Sequence, residues 1–334
     1  MFSVFSSLSS TITQKISLAG LQPMTTADTF TLTNSGSFKF GSASRDNCIA
    51  CSDDGKYILV GANFETTTSR RLLLSSDGGT TFSRIDGTSN LPGGVQYYSH
   101  AISDNGQYQY TVCATGGTIY RSSDYGSTWT AGSANAGTTV ISCDGSGTYV
   151  LANYTTGIVY STNYGASWTS SSIYVNCVAV HISNNAGYWV FAQNNNANGI
   201  YMSTNNGSSW TVIRSVSEGI ANVKATNSGT VFSVNVNTTT NPLNYYNGSS
   251  WSNIKSLTTG ATIGINKTGL IIFATTTRST LNQNVYSLDG GTTWTNGPSY
   301  GATVPCHCVV SSSGNCAYVV TYVGNVGAVY KSVA

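Results

Sequence analysis

The stretch Ser122–Trp129 reads SSDYGSTW, and closely similar stretches recur along the 334-residue chain. Except in one degenerate copy, the stretch has Ser, then an acidic or amide residue, Gly, a small residue, Ser or Thr, and an aromatic at fixed spacing. The other five copies, one of them degenerate, end at Phe82, Trp168, Trp210, Trp251 and Trp294. Six copies indicate a repeat architecture, in which single units cannot bury their own apolar faces and must stack against one another.

A second unit lies about twenty residues before each of these boxes and is a polar turn ending in Gly, followed by an apolar or aromatic run. Its glycines are Gly55, Gly106, Gly147, Gly187, Gly229, Gly269 and Gly314. The mean interval is about 43 residues, which is typical of one propeller blade of four strands. There are seven turns but six boxes, because the chain ends after Tyr330-Lys331-Ser332, a match to the strand that precedes a box.

These repeats predict an all-β protein, a single seven-bladed β-propeller of four-stranded antiparallel blades, over residues 29–334. Each repeat reads as inner strand A, the Gly turn, strand B, a variable loop, strand C, the box and outer strand D. The last blade lacks an outer strand, and we expect residues 29–45 to supply it and close the ring, which removes an open sheet edge. Residues 1–28 are then an N-terminal arm.

The residue types of the box predict a structural role. Its Asp or Asn can accept hydrogen bonds across a tight turn, its Gly tolerates positive φ, and its aromatic supplies apolar surface. We assign this role to Asp77, Asp124, Asn163, Asn205, Asp289, Trp129, Trp168, Trp210 and Trp294.

The box resembles the Asp box, or BNR repeat, of the sialidase-like β-propeller superfamily. Proteins with this motif include sialidases, xyloglucan-degrading glucanases, photosystem assembly factors, sortilin-type receptors and lectins. The resemblance implies that the box lies at the turn between strands C and D, on the face opposite the functional one.

The B-to-C and D-to-A loops should form that functional face, because binding residues usually lie on loops held by a rigid scaffold. These loops are rich in Asn, Thr and Ser with interspersed tyrosines, and amides beside flat rings suit sugar hydroxyls or a polar protein surface. The candidate binding residues are Glu65, Arg70, Arg71, Tyr97, Tyr98, Asn194, Asn195, Asn196, Glu218, Arg278 and Tyr300.

The charge content excludes one class of partner. Charged residues make up 8% of the chain and the net charge is +2, so the basic stripe of a nucleic-acid-binding protein is missing. No apolar run approaches the length that spans a bilayer, so we predict no membrane insertion.

Catalysis is not predicted either. Glycoside hydrolysis usually needs two neighbouring carboxyl groups, and the only glutamates, Glu65 and Glu218, belong to repeats on nearly opposite sides of the ring. We predict no cofactor and no metal. The alternative function is a sialidase-like or xyloglucanase-like glycoside hydrolase.

The eight cysteines are irregularly spaced and do not indicate a disulfide scaffold. We interpret Cys48-x-x-Cys51 and Cys306-His307-Cys308 as small buried residues of the core, with a disulfide near the ring seam or a metal site as alternatives. The first twenty residues have no basic start and are interrupted by Ser and Thr, so we do not predict a secretory signal there, and both an intracellular location and an extracellular or particle surface stay open.

The predicted function is therefore that of a non-catalytic recognition or assembly propeller, which binds a protein or glycan partner through its B-to-C and D-to-A loops. A surface with so few charges repels its neighbours weakly. This property is compatible with self-assembly or with attachment to a larger particle such as a capsid.

Overall fold

The computed structural model describes residues 38–39, 48–64, 71–88, 90–134, 137–155, 157–171, 173, 176–193, 199–216, 219–236, 241–257, 261–276, 284–297, 304–323 and 326–333. These residues form antiparallel sheets that follow one another along the chain. No helix among them has the length and apolar character needed to cross a membrane.

The first three sheets are blades 1 to 3. Blade 1 contains β2 (Ile49–Cys51), β3 (Ile58–Phe64), β4 (Arg71–Ser75) and β5 (Ser83–Arg84), and the short β1 (Phe38–Lys39) pairs with the end of β3. Blade 2 contains β6 (Tyr97–Ile102), β7 (Gln109–Cys113), β8 (Thr118–Ser122) and β9 (Thr130–Ala134). Blade 3 contains β10 (Ile141–Cys143), β11 (Val150–Tyr154), β12 (Gly157–Ser161) and β13 (Thr169–Ser170).

Blades 4 to 6 and a terminal sheet complete the ring. Blade 4 contains β14 (Cys177–Ile182), β15 (Trp189–Gln193), β16 (Gly199–Ser203) and β17 (Thr211–Ser215). Blade 5 contains β18 (Gly219–Ala225), β19 (Val231–Val236), β20 (Asn241–Tyr246) and β21 (Trp251–Leu257). Blade 6 contains β22 (Ala261–Ile265), β23 (Ile272–Thr276), β24 (Asn284–Ser287) and β25 (Thr295–Asn296). The terminal sheet contains β26 (Val304–Val310), β27 (Cys316–Val323) and β28 (Val326–Val333).

The core lies between neighbouring sheets, where the B strands are buried on both faces. In β15, for example, Trp189, Val190 and Phe191 are all fully buried. A continuous run of β-branched and aromatic residues suits a strand with a sheet on either side.

The prediction of a β-propeller with four-stranded antiparallel blades is confirmed, but the number of such blades is wrong. Six sheets of the described residues have at least four strands, not seven, and the terminal sheet has three. The prediction assigns one four-stranded blade to each Gly turn. The last Gly turn belongs to this three-stranded sheet, whose third strand runs to Val333.

The expected closing strand is also not observed. Of residues 29–45 the structure describes only Phe38–Lys39, and these pair with Phe64 and Asn63 of blade 1 and not with β28. The reason is the unequal length of two strands: β2 has three residues and pairs only with Ile58–Val60 of β3. The far end of the seven-residue β3 therefore offers a free edge, which β1 occupies.

The terminal sheet packs directly against blade 1, at a boundary that we call the seam. The Tyr318 hydroxyl donates a hydrogen bond to the Gly55 carbonyl at 2.8 Å, and Lys331 Nζ donates to the Gly78 carbonyl at 3.3 Å. Residues of both sheets, including Ile58 and Val320, share one core cluster. The ring is thus closed by side-chain packing between its first and last sheets.

The Gly turns and the boxes lie on one face of the ring, which we call the turn face. In blade 2, the backbone N–H of Tyr125 in the box donates to the carbonyl of Gln107 in the Gly turn, and Tyr164 and Thr148 make the same bond in blade 3. The opposite ends of the strands, where the B-to-C and D-to-A connections begin, lie on the other face, which we call the loop face, because neighbouring strands are antiparallel.

Candidate functional site

The box carboxylates are occupied by hydrogen bonds within their own turns. The Ser287 hydroxyl donates to Asp289 at 2.8 Å, and the N–H and hydroxyl of Thr293 donate to the same carboxylate. These bonds from Thr293 lower the pKa of Asp289. Asp77 and Asp124 make the same bonds, and Asn163 and Asn205 make equivalent ones through their side-chain amides.

The box tryptophans lie against the turns that precede them. Trp129 is fully buried, and its indole N–H donates to the Gly126 carbonyl at 3.0 Å, while the half-buried Trp294 makes the same bond to Gly291. Trp168 and Trp210 are half-buried in the core clusters of their blades. The described contacts of the box side chains are thus made within their own turns and core clusters, and the structural role of the box stays a prediction.

The fourth position of the box has a property that sequence reasoning missed. Its backbone lies in the left-handed region, at φ 62° for Tyr125 and 59° for Tyr164, where bulky residues are rarely found. Tyr125 stacks on Tyr57 of the preceding blade, and Tyr164 stacks on Tyr108. The positive φ directs each ring toward the neighbouring blade.

Most candidate binding residues of the loop face lie outside the described residues. These are Glu65, Arg70, Asn194, Asn195, Asn196, Glu218, Arg278 and Tyr300. Arg71, at the start of β4, and Tyr98, in β6, are half-buried. Tyr97 is buried in the core, its hydroxyl donates to the Pro92 carbonyl at 2.7 Å, and burial raises its pKa. The structure therefore does not bring these residues together into one described site.

The described residues do form a site at the mouth of the central channel on the turn face. The turn after each inner strand is bonded to the turn of the next sheet. Five of these links join backbone N–H groups to carbonyls: Asp53 to Asp104, Asp104 to Gly145, Gly145 to Asn184, Asn227 to Lys267, and Lys267 to Ser312. Side chains complete the cycle, since the N–H groups of Asn185 and Ser313 donate to Asn227 and Asp53.

One side-chain bond crosses this rim above a glycine. The amide of Asn184 donates to Asp104 at 2.7 Å, which joins blade 4 to blade 2. Between them lies Gly145, where an added Cβ would come within 2.2 Å of the Asn184 amide and 2.6 Å of the Asp104 carboxylate. A residue without a side chain is therefore required at this point of the rim.

Beneath the rim lies a cavity of about 120 Å³. Each sheet contributes the last residue of its inner strand: Cys51, Ile102, Cys143, Ile182, Ala225, Ile265 and Val310. Polar groups line it as well, with Asp104, Asp144 and Asn184 on one side and Lys267 on the other. Lys267 forms no ion pair within 4 Å with any carboxylate of the described residues, although its charge acts on Asp53 and Asp104.

The two rim aspartates have pKa values shifted in opposite directions. Burial would raise the pKa of Asp53, but hydrogen bonds from Ser313 and the charge of Lys267 outweigh it and lower the value. Burial raises the pKa of Asp104, and the bond from Asn184 does not cancel this effect. Asp53 is thus firmly ionised, while Asp104 is the rim carboxylate that takes up a proton more readily.

The three histidines lie apart on inner strands of different sheets. His100 is buried, its Nδ1 lies 2.9 Å from the Thr111 hydroxyl, and burial lowers its pKa to about 3. His181 Nδ1 accepts the N–H of Ala225 at 3.1 Å, and burial lowers its pKa also. His307 is buried in β26. His100 and His181 are therefore neutral members of the channel wall.

The acidic groups of the described residues already accept hydrogen bonds, which limits the chemistry of the site. Each described carboxylate accepts at least one hydrogen bond, as shown for Asp53, Asp54, Asp77, Asp86, Asp104, Asp124, Asp144 and Asp289. Three or more His, Cys, Asp or Glu residues placed to hold a metal ion do not occur within the described ranges. The mouth is suited to binding polar groups by charge and hydrogen bonds.

The channel and its ring of antiparallel sheets define a β-propeller, and comparison with known proteins adds solved structures of the same fold. No family model and no curated protein matches the chain. It is similar to YCF48 bound to D1 peptide, at 14% identity and a TM-score of 0.63, over 92% of this chain and 94% of that one. YCF48 from Cyanidioschyzon merolae has 15% identity and a TM-score of 0.59, over 86% of this chain and 96% of that one.

A third similar structure is the β-propeller domain of Cps50 (Swd1) from Myceliophteria thermophila. It has 8% identity and a TM-score of 0.62, over 90% of this chain and 98% of that one. At these identities the similarity shows the fold alone.

The sequence reasoning missed the mouth of the channel as a site. Its residues belong to the polar turns before each Gly, whose spacing predicts only the positions of the strands. The signal available was the charge at one turn position, Asp53, Asp104 and Lys267, where the other repeats have Gly, Asn or Ser.

Proposed function

We propose that this protein is a non-catalytic recognition propeller that binds a polar segment of a protein partner. The observation that carries the proposal is the mouth cavity, whose rim is fixed by a cycle of hydrogen bonds and whose Lys267 has no ion-pair partner among the described residues. A preformed rim lowers the entropy lost on binding. YCF48, a propeller of similar fold, has been solved with a bound peptide, which supports peptides as probes.

The test is selection from a displayed random-sequence peptide library, followed by calorimetry with the selected synthetic peptides. Lys267→Ala should weaken binding at least about tenfold, because it removes the charge that faces the cavity. Lys56→Ala is the matched control, since Lys56 is an exposed lysine of the same face that lies over the Tyr57 ring. Peptides that bind both variants equally well would show that the mouth is not the recognition site.

The loop face is the second surface of this proposal, and a glycan is the second ligand class. Arg71 and Tyr98 are the half-buried residues that represent it within the described chain. If selected peptides or oligosaccharides lose affinity for Arg71→Ala or Tyr98→Ala but not for Lys267→Ala, recognition belongs to the loop face.

The non-catalytic part of the proposal is tested separately. Among the described carboxylates, all accept hydrogen bonds from neighbouring groups, so the hydrolase alternative rests on Glu65 and Glu218, which lie outside the described residues. Turnover of any aryl glycoside in a panel, lost in Glu65→Gln or Glu218→Gln, would show that the protein is an enzyme.

The division of the chain into an arm, residues 1–28, and a propeller, residues 29–334, is a proposal as well. Removal of residues 1–28 should leave the thermal unfolding transition unchanged. A lower midpoint would show that the arm contributes to the folded ring.

A further inference from the structure

The seam contains a pair of thiols, which no other sheet boundary has among the described residues. In four of the repeats, the residue one or two positions after the turn Gly packs over the turn Gly of the next sheet. Tyr57, Tyr108, Tyr188 and Ile271 approach Gly106, Gly147, Gly229 and Gly314 in this way. At the seam the corresponding residue is Cys316, whose Sγ lies 2.6 Å from where a Cβ on Gly55 would be.

The second thiol comes from blade 1. Cys51 is the last residue of the inner strand β2, and it packs against the same core cluster that contains Cys316. The two thiols act on each other, which raises the pKa of Cys51 and lowers that of Cys316. Both are free thiols. Two cysteines from opposite ends of the chain therefore meet where the ring closes.

From this juxtaposition we infer that Cys51 and Cys316 are a redox modification site, which a small peroxide converts into a reversible disulfide across the seam. The thiol pair adjoins the proposed recognition site, since Cys51 lines the mouth cavity, but neither the rim bonds nor Lys267 takes part in the reaction. The disulfide joins the first blade covalently to the terminal sheet.

Access to the pair is through the channel mouth. Cys51 lines the mouth cavity, while Cys316 is 4% exposed and lies behind it. A molecule as small as hydrogen peroxide fits in this cavity, whereas a protein oxidant does not.

The local environment favours reaction at Cys316. The interaction with Cys51 lowers the pKa of Cys316 despite its burial, and Ser311 and Lys331 contribute to the same effect. The lower pKa favours the thiolate, which is the nucleophile.

The reaction has two balanced steps. The Cys316 thiolate attacks one oxygen of hydrogen peroxide, the O–O bond breaks, and Cys316 becomes a sulfenic acid as hydroxide leaves. The Cys51 sulfur then attacks the Cys316 sulfur, the S–O bond breaks, and water leaves with the Cys51 proton. In total two thiols and one peroxide give one disulfide and two waters, and a dithiol reductant reverses the change.

Cys143 is a matched control within the same molecule. It ends the inner strand of blade 3 at the same register position as Cys51, and it lines the same cavity. The residue that corresponds to Cys316 at the blade 2 and blade 3 boundary is Tyr108, which shares a core cluster with Cys143. Cys143 therefore has equal access to peroxide but faces a tyrosine where Cys51 faces a thiol.

The experiment treats the full chain with hydrogen peroxide and maps its peptides by mass spectrometry without reduction. We expect a cross-linked peptide pair that contains Cys51 and Cys316, the loss of two hydrogen atoms, and a thermal midpoint higher by about 3–8 °C. Dithiothreitol should reverse both changes. Cys143→Ser should behave like the wild type, and Cys51→Ser should show neither change.

A second measurement keeps the test informative if a variant is unstable. In wild-type protein treated with peroxide and a sulfenic-acid trap, Cys316 should be labelled before the cross-link accumulates, and Cys143 should stay unlabelled. Oxidation of Cys316 to sulfinic acid without a cross-link, equal labelling of Cys143, or a cross-link between other cysteines would overturn the inference.

Discussion

The seam and the boundary between blades 2 and 3 are built from the same bond but close very different lengths of chain. At the seam, Tyr318 donates to the Gly55 carbonyl at 2.8 Å, between residues 263 apart. At the interior boundary, Tyr110 donates to the Gly147 carbonyl at 2.6 Å, between residues 37 apart. Both tyrosines are fully buried. The seam is therefore built like the boundary between two interior blades. It closes a much longer stretch of chain, so the entropic cost of bringing its ends together is larger than at the interior boundary.

The largest expected effect comes from removing either tyrosine ring. Tyr318→Ala and Tyr110→Ala should each lower the free energy of unfolding by about 3–5 kcal/mol, because each leaves a large cavity between two sheets. Guanidinium unfolding followed by fluorescence measures this. Leu270→Ala, at a 54% exposed side chain, should change stability by less than about 0.5 kcal/mol. A near-zero effect of Tyr318→Ala alone would mean that the seam does not support the ring.

Smaller effects are expected when a side chain is added to the glycine under each tyrosine. Gly55→Ala and Gly147→Ala should each cost about 1–3 kcal/mol, because φ is positive and the new Cβ would lie 2.6–2.7 Å from atoms of the neighbouring sheet. Gly248→Ala is the control for strain alone, since its φ is also positive but nothing lies within 4 Å. If guanidinium unfolding shows the same loss of free energy of unfolding at all three glycines, packing against the neighbouring sheet is not the cause.

Loss of the hydroxyl alone should have a still smaller effect. Tyr318→Phe and Tyr110→Phe should each lower the free energy of unfolding by about 1–2 kcal/mol, because a buried carbonyl loses its donor. Chemical denaturation of the two variants side by side measures this. Unequal losses would show that the two boundaries differ in more than chain length.

The smallest effects concern pH and the two rim aspartates. The pKa of Asp53, at the seam, is lowered, so its contribution to stability is present above the unfolded pKa and is lost as pH falls through the folded value. The pKa of Asp104 is raised, so its contribution is present below the unfolded pKa and is lost as pH rises through the folded value. Urea midpoints of Asp53→Asn and Asp104→Asn, measured between about pH 3 and pH 7, should therefore differ from the wild type with opposite slopes. Parallel slopes would contradict the assigned directions.

The sequence predicted the blade because the relevant information is local. The box from Ser122 to Trp129 contains every partner that its Asp needs, and a B strand such as Trp189–Gln193 has its own apolar run. The number of complete blades and the closing strand were wrong because they depend on pairing between distant segments. β1 pairs with β3 because β2 is short. The spacing of the Gly turns carries no information about the length of β2.

The site was harder to predict, because its parts are scattered along the chain. Asp104, Asn184 and Lys267 are ordinary polar turn residues in their own repeats, and only the ring brings them to one opening. The thiol pair shows the same limit. Sequence proximity directed attention to Cys48 and Cys51, whereas the partner of Cys51 is Cys316 in the last sheet.

The hydrogen-bond cycle around the channel mouth has an evolutionary consequence. Most of its links are made by main-chain groups, which every amino acid except proline supplies. Gly145 must stay without a side chain, and the side chains of Asn227 and Asp53 accept rim bonds, but the other rim side chains can be exchanged while the opening keeps its shape. In a lineage of such proteins, single substitutions at these other positions would change the chemistry of the opening with little risk to folding.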